Sequence, residues 1–497
     1  MELAAVFSAL FAQFLEFAGA CEPRERDVLL AGGGIVMTSV LPTVEAALAI
    51  SAESRTGLVI ESAEPEVTYL RGSSSESPES RGIAAFRNIP AARLPIRRHA
   101  QVTRWWTPVW RVPSHLMRPD IVAISENSLL VSSAQSSNAR IGFRHGGNIL
   151  RRVRGGYSGV RHQVDVMSLA DTFVRRILEI PGLIEPIRSR LRDVLMTHVS
   201  TCFEFAAKDL AALARYPRLP NAIWSGTGGT YAGRAIGLEV LKRGGTVVRF
   251  DHGGTVPMID APAIVSFIEL SVSSKFVVAT NALASTLRFT KPNGPTASWH
   301  VSEIDGEIGD PSMRGLALDA PRRGAQRRRV LYVPMFLRGF SKHALYPFTD
   351  PVYLDWQLRL ADVLLQMPVD LLCKPHPDGV LKDRRHPLSL VAKCSNASFE
   401  SEMADADVFV FDRCTSTTFW RAVCTNRPVI LVRLGPPGFN EPASMVLERR
   451  CKILEVTYDE NNLPHVDTNE LREAVLGGPD RTDPSEIREL ILGRFAP

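Results

Sequence analysis

Short apolar runs recur along the chain, each ending in Gly, Asp, Asn or Ser, with stretches of helical spacing between them. In the first half "PDIVAISENSLL", "ARIGFRHGGNIL", "NAIWSGTGG", "GGTVVRFDHGG" and "SKFVVATN" read as strands that run into turns. Residues 163–216 carry a long helical pattern. Near the start, Leu3, Val6, Phe7, Leu10, Phe14 and Leu15 fall at helical spacing and predict an amphipathic helix. "RDVLLAGGGIVMTSVLPTVEAALAI" reads as a strand, a glycine turn and a helix, and "TGLVIES" as one more strand. "RGSSSESPES", residues 71–80, is polar and Ser-rich and reads as a mobile loop. Strands alternating with helices predict a mostly parallel sheet covered on both faces.

The pattern fades over residues 288–328 into Pro, Gly and charge, and a second series then begins. It runs through "VLYVPMF", a helix at 352–366, "VDLLCKPHPDG", "DVFVFDRCTSTTFWRAV" and "RPVILVRLG", and closes on the helical "PSEIRELILGRF". The predicted fold is α/β, with two Rossmann-like doubly wound domains. Residues 1–290 form the first and 329–497 the second, joined by a linker at 291–328. Ligands are expected where strand carboxyl ends face a cleft between the two.

Composition narrows the class. A chain of 497 residues exceeds one ordinary core, and 45% hydrophobic with 22% charged residues is a globular balance. The net charge of +5 is mild, although positive residues bunch in "RRVR" and "PRRGAQRRR". Such runs suit solvated faces, anionic lipid surfaces or phosphate-bearing substrates. They lack the interleaved aromatics of a nucleic-acid module, so no nucleic-acid partner is expected. Seven cysteines without CxxC spacing argue against a disulfide framework or zinc ribbon and fit a reducing cytosol. Glu2, Gln13 and Glu16 spoil the first twenty residues as an export signal, and no membrane span is expected.

The sharpest chemistry lies in the second half. In "LLCKPHPDG" an apolar strand runs into Lys374, His376 and Asp378, with Pro375 and Pro377 stiffening the exit. A fixed charge beside a directed hydrogen bond at a strand's carboxyl end suits a phosphate. One unit later Asp412 is followed by Thr415, Ser416, Thr417 and Thr418 just before a helix. One hydroxyl there suffices for an N-cap, while several beside the open amides suit an anion. "DAD" at 405–407 precedes its strand and so lies at the wrong end of the sheet for a metal site. The "GGG" at 32–34 lacks a dinucleotide fingerprint.

The succession "VLYVPMFLRG", "KPHPDG", "ADADVFVFDRCTSTTFWRAVCTNRPVIL" resembles the C-terminal half of GT-B glycosyltransferases of bacterial surface-polysaccharide synthesis. It is similar above all to the CMP-sugar users, the sialyltransferase-like and Kdo-transferase-like enzymes. The CDP-glycerol glycerophosphotransferases share the pattern. The resemblance spans about residues 329–435 and is weaker in the first half. It implies that His376, Pro377, Ser416, Thr417 and Thr418 hold the nucleotide and its phosphate. It implies further a CMP-activated sugar as donor, no separate cofactor or metal, a glycan or lipid-linked glycan acceptor, and a cytoplasmic enzyme with peripheral contact at the inner membrane.

Such a transfer needs a carboxylate near the anomeric carbon, as base or nucleophile. Asp251, followed by His252 and two glycines in "FDHGG", leads; Glu126 in "VAISENSLL" is second. Asp251 alternatively accepts turn N–H groups. "FRHGG" at 143–147 puts a cation where "FDHGG" has the carboxylate. An ulosonic acid donor would want an arginine fork, for which Arg144, Arg234, Arg249 and Arg338 are placed near strand or helix ends, though each suits an ordinary ion pair as well. Thr227, Gly228 and Gly229 are expected to line the cleft. The rival functions are glycerophosphate transfer, nucleotide-sugar epimerisation, and a non-catalytic glycan-binding scaffold.

Overall fold

The computed structural model describes residues 3–57, 65–74, 119–137, 139–157, 161–252, 256–288, 303–307, 309–310, 313, 318, 327–337, 348, 350–377, 379–435, 438–461, 463–477 and 482–493. Gly253, Gly254, Arg338, Asp378, the strand read at 58–62 and most of the loop read at 71–80 lie outside them. The chain divides into two compact units, one of Met1–Asp251, Ala261–Val277 and Phe289–Asp305, the other of His252–Asp260, Val278–Arg288 and Gly306–Pro497. Each is α/β and built on a largely parallel sheet, as the alternating pattern predicts.

The sheet of the first unit has the order β2-β1-β3-β4-β5-β6. Its strands are β1 (Ile121–Ala123), β2 (Ile141–Phe143), β3 (Ala222–Ser225), β4 (Thr246–Phe250), β5 (Lys275–Val278) and β6 (Glu303–Gly306). β1 pairs in parallel with β2 and β3, and β4 with β3 and β5. Alternation then sorts the side chains to two buried faces. Ala123, Phe250 and Val277 pack with Leu129 and Leu130 of the helix Ser128–Ser136. Val247 and Arg249 turn the other way, onto Gly233 and Gly237 of the helix Tyr231–Lys242.

One expectation fails here. The segment read as strand, turn and helix is a single helix, Pro23–Thr56. An apolar run such as "VLLAGGGIVM" has no period that separates a strand from a buried helix, and glycine tips the reading toward a turn. Here the glycines make room for neighbours. A Cβ on Gly32 would stand 3.2 Å from Phe203, one on Gly33 2.7 Å from Phe14 and 2.9 Å from Phe267, and one on Gly34 3.0 Å from the carbonyl oxygen of Gly229. Phe14, from the first helix Leu3–Ala20, meets Phe267 edge-on at 5.0 Å in the space so left. The two halves of the long helix, Pro23–Met37 and Val40–Glu53, differ in direction by 53°. The ring of Pro42 clashes with the carbonyl four residues back, which lies at that bend. Among the described residues no single helix is long and apolar enough to cross a membrane.

The sheet of the second unit has the order β12-β11-β10-β9-β7-β8. It comprises β7 (Arg328–Val333), β8 (Val369–Cys373), β9 (Val408–Phe411), β10 (Val429–Arg433), β11 (Lys452–Tyr458) and β12 (Pro464–Val466), with only the β11–β12 pair antiparallel. Val330, Tyr332, Val410 and Val432 face Tyr353, Trp356 and Leu360 of the helix Asp350–Leu365. Phe409 and Phe411 face the opposite layer, against Phe399 at 6.0 Å and Phe419 at 5.4 Å. Asp405 and Asp407 lie before β9 and bind Arg329, through its guanidinium at 3.2 Å and its backbone N–H at 2.8 Å.

Candidate functional site

Both sheets reverse their winding once, and in a doubly wound sheet the crevice outside the strand carboxyl ends at that reversal is where ligands bind. In the first unit the reversal lies between β1 and β3, because β2 flanks β1 on one side and β3 to β6 continue on the other. In the second it lies between β7 and β9 by the same reasoning.

Ser125, Glu126 and Asn127 leave β1 at the first reversal, and Gly226 to Thr230 leave β3. The Ser125 hydroxyl accepts from the Gly226 N–H at 2.9 Å and meets the Ser225 hydroxyl at 2.8 Å. Asn127 ties three strand exits together. Its Nδ2 donates to the carbonyls of Gly226, Phe250 and Asp251 at 3.0, 3.1 and 2.9 Å, while its Oδ1 caps the next helix at Leu130 N–H. Glu126, half-buried, is therefore held beside the Gly226 turn. Asn127 was not among the expected residues, although an Asn directly before "SLLVSS" is an N-cap signal. Asn127→Asp is expected to destabilise the protein by about 2–4 kcal/mol, because a carboxylate would face three carbonyls where an amide now donates. Chemical denaturation checks this, and a change below about 1 kcal/mol would mean the three bonds carry little.

Asp251 follows β4, one strand further along. It is 4% exposed, its N–H donates to the Val277 carbonyl at 2.8 Å, and its own carbonyl accepts from Asn127. His252 is exposed, and the boundary between the compact units falls between it and Asp251. The two look-alike stretches are locally unlike each other. In "FRHGG" the His145 ring Nδ1 accepts from Gly147 N–H at 3.2 Å and caps the helix Gly146–Gly156, with Arg144 exposed.

Beneath the Gly226–Thr230 turn, Glu269 from the π-helical turn Ser266–Leu270 accepts from Gly228 N–H at 2.8 Å. Burial pushes its carboxyl up, an effect opposed by the Gly228 bond and by Arg249 and Arg234. Both arginines are wholly buried and committed to internal acceptors, main-chain carbonyls and, for Arg234, the Ser271 hydroxyl as well. Arg234 donates to the carbonyls of Leu30 and Phe267 at 2.6 and 2.7 Å, and Arg249 to those of Gly233, Val272 and Thr227 at 3.1 to 3.3 Å. Arg249 holds the turn from below through the Thr227 carbonyl, Arg234 ties Leu30 to the Phe267–Ser271 segment, and neither presents a fork to a ligand.

At the second reversal, Asp412 follows β9 and lies entirely buried. It accepts from the hydroxyls of Tyr332 at 2.7 Å and Tyr353 at 2.8 Å, and Tyr353 in turn accepts from Met335 N–H at 2.8 Å. The exits of β7 and β9 are thus bonded together through one carboxyl. Arg413 reaches across to the Leu434 carbonyl after β10 at 2.7 Å. Burial pushes the Asp412 carboxyl up from 3.8 to about 6, against the pull of the two tyrosines. Between those values the folded protein holds a proton that the unfolded chain has released, so stability falls as pH rises through the window, by about 3 kcal/mol. Asp412→Asn is expected to flatten that slope, and urea unfolding between about pH 4 and 7 reads it directly; an unchanged slope would assign the titration to another group.

Lys374, His376 and Pro377 leave β8 at the same edge. Lys374 is 7% exposed; its N–H donates to the Tyr332 carbonyl at 2.8 Å and its ammonium to the Pro375 carbonyl at 3.1 Å. Burial lowers its pKa, with Glu402 opposing. The His376 ring is half-buried, 5.0 Å from the Phe336 ring. After β9, Ser416 caps the helix Thr417–Val423 by accepting from Thr418 N–H at 3.1 Å, and its hydroxyl also bonds that of Thr418. Thr415 and Thr417 are half-buried. The Lys-His loop and the Ser/Thr loop thus lie at one sheet edge with β7 between them, two strand spacings or roughly 10 Å apart. Among the described residues no group of three or more His, Cys, Asp or Glu is placed to hold a metal ion.

No model of a known protein family matches the chain, and no curated protein matches it. Among solved structures it is similar to CalG4, the calicheamicin glycosyltransferase, at 13% identity and a TM-score of 0.37, over 75% of this chain and 93% of that one. It is similar to the glycotransferase of kitacinnamycin at 12% identity and a TM-score of 0.37, over 76% and 96%. Apo UGT2 of Phytolacca americana matches at 10% identity and a TM-score of 0.34, over 74% and 87%.

Proposed function

We propose that this protein is a GT-B glycosyltransferase that moves a sugar, Kdo or a related ulosonic acid, from its CMP-activated form to a growing surface glycan. The observation that carries the reading is the carboxyl edge of the second sheet, where the Lys374-Pro375-His376 loop after β8 and the Thr415–Thr418 loop after β9, the two motifs of the resemblance, flank the exit of β7. Lys374 supplies charge to the departing phosphate, and His376 with the amides and hydroxyls that open the helix supply directed bonds. The first unit supplies the carboxylate. Glu126 stands at the reversal and is half-buried, whereas Asp251 is 4% exposed one strand away, so we assign the base to Glu126 and keep Asp251 as the second carboxylate.

Turnover of CMP-Kdo, CDP-glycerol and UDP-sugars, measured side by side, tests this. CMP-Kdo is expected to be consumed fastest, and Glu126→Gln to lose about 100-fold or more. Consumption of none of them would overturn the reading. CDP-glycerol is the second reading, favoured by one observation: Arg234 and Arg249 are spent on main-chain carbonyls, which leaves fewer arginines for an ulosonate carboxylate.

A further inference from the structure

None of the seven cysteines is in a disulfide, yet two of them meet. Cys373, the last residue of β8, is paired in parallel register with Cys394, its N–H donating to the Lys393 carbonyl at 2.8 Å and its carbonyl accepting from Ser395 N–H at 2.9 Å. Register partners on neighbouring parallel segments carry their side chains on the same face, about 5 Å apart at Cα. That separation is within the range of about 4.4–6.8 Å that a disulfide spans. Both side chains pack into the same apolar cluster, Cys373 fully buried and Cys394 only partly. The neighbouring Cys394 and burial push the Cys373 thiol up, while Cys373 and Arg385 draw Cys394 below the usual thiol value. The partly exposed sulfur is thus the better nucleophile.

We propose that Cys373 and Cys394 form a reversible dithiol–disulfide couple, oxidised by a low-molecular-weight disulfide, that controls the Lys374–His376 loop. The control rests on the phosphate reading of that loop; the couple does not. The Cys394 thiolate attacks one sulfur of the small disulfide, whose S–S bond breaks and releases one thiolate. That thiolate takes the Cys373 proton as the Cys373 sulfur attacks the Cys394 sulfur of the mixed disulfide, and the second small thiol leaves as a thiolate that takes from water the proton Cys394 gave up. Two protein thiols are oxidised and one small disulfide is reduced to two thiols. Closing the bond fixes the end of β8 covalently to the 392–395 segment it already pairs with, and Lys374 is the next residue.

The full chain is equilibrated in reduced and in oxidised glutathione, and its thiols are counted by mass spectrometry. In oxidised glutathione two of the seven thiols are expected to disappear. A cross-link should join the tryptic peptides 360–382 and 394–413 and should be reversed by dithiothreitol. CMP affinity is expected to fall about tenfold on oxidation in the wild type and not in Cys394→Ser. Retention of all seven thiols, or glutathione adducts without the cross-link, overturns the couple. A cross-link with unchanged CMP affinity overturns its control of the loop. Reduced protein that binds no CMP counts against the phosphate reading instead, while the cross-link still decides the couple.

Discussion

Arg234→Met is expected to destabilise the first unit by about 3–5 kcal/mol, the usual loss when one side of a buried charged network is removed. The side chain is completely buried and uses its whole fork, Nε on Leu30, Nη1 on Phe267 and Nη2 on the Ser271 hydroxyl at 2.9 Å. Its guanidinium also lies over the Phe267 ring, 4.6 Å from the centroid. Burial and the neighbouring Arg249 push its pKa down to about 9, so the charge itself is held at a cost. Methionine relieves that cost but removes the donor to the Leu30 carbonyl and the Ser271 hydroxyl and leaves the Phe267 carbonyl to Ser271 alone, and the second effect is the larger. Arg234→Lys keeps the charge yet cannot span three acceptors in one plane, so it is expected to lose nearly as much. Urea unfolding measures both; a loss below about 1 kcal/mol in the methionine variant would mean that the Pro23–Thr56 helix and the Phe267–Ser271 segment are held together by other means.

Lys374→Met is expected to act in the opposite sense. The ammonium is nearly buried, and its hydrogen bond goes to the carbonyl of the next residue, so folding gains little from it. Removing a poorly partnered buried charge is expected to leave stability unchanged or raise it slightly. If Lys374 has the phosphate role proposed for it, nucleotide affinity should fall about 10–100-fold. Thermal unfolding and calorimetric titration with CMP separate the two effects. A variant that loses stability and keeps its affinity would mark Lys374 as a structural residue.

The sequence made the strand exits legible because each carries a composition cue. Apolar β-branched runs end in "DHGG", "SGTGG", "KPHPD" and "DRCTSTT", and all four follow strands of the two sheets. The Pro23–Thr56 helix was not legible, since three glycines that serve close packing look the same in sequence as three that make a turn. Asn127 and the Tyr332–Asp412–Tyr353 bonds were hidden for another reason: their partners are 59 to 124 residues away in the chain. The likeness of "FDHGG" and "FRHGG" promised more than it holds. One histidine caps a helix, and the other is exposed after a strand whose aspartate is buried. That Glu126 follows a strand where the winding reverses is visible only in the strand order.

Calorimetric titration of the reduced protein with CMP, alongside Lys374→Met, tests the central claim most directly. The account predicts one saturable site in the wild type, weakened about 10–100-fold in the variant. No heat of binding with CMP, CDP or UDP would contradict it.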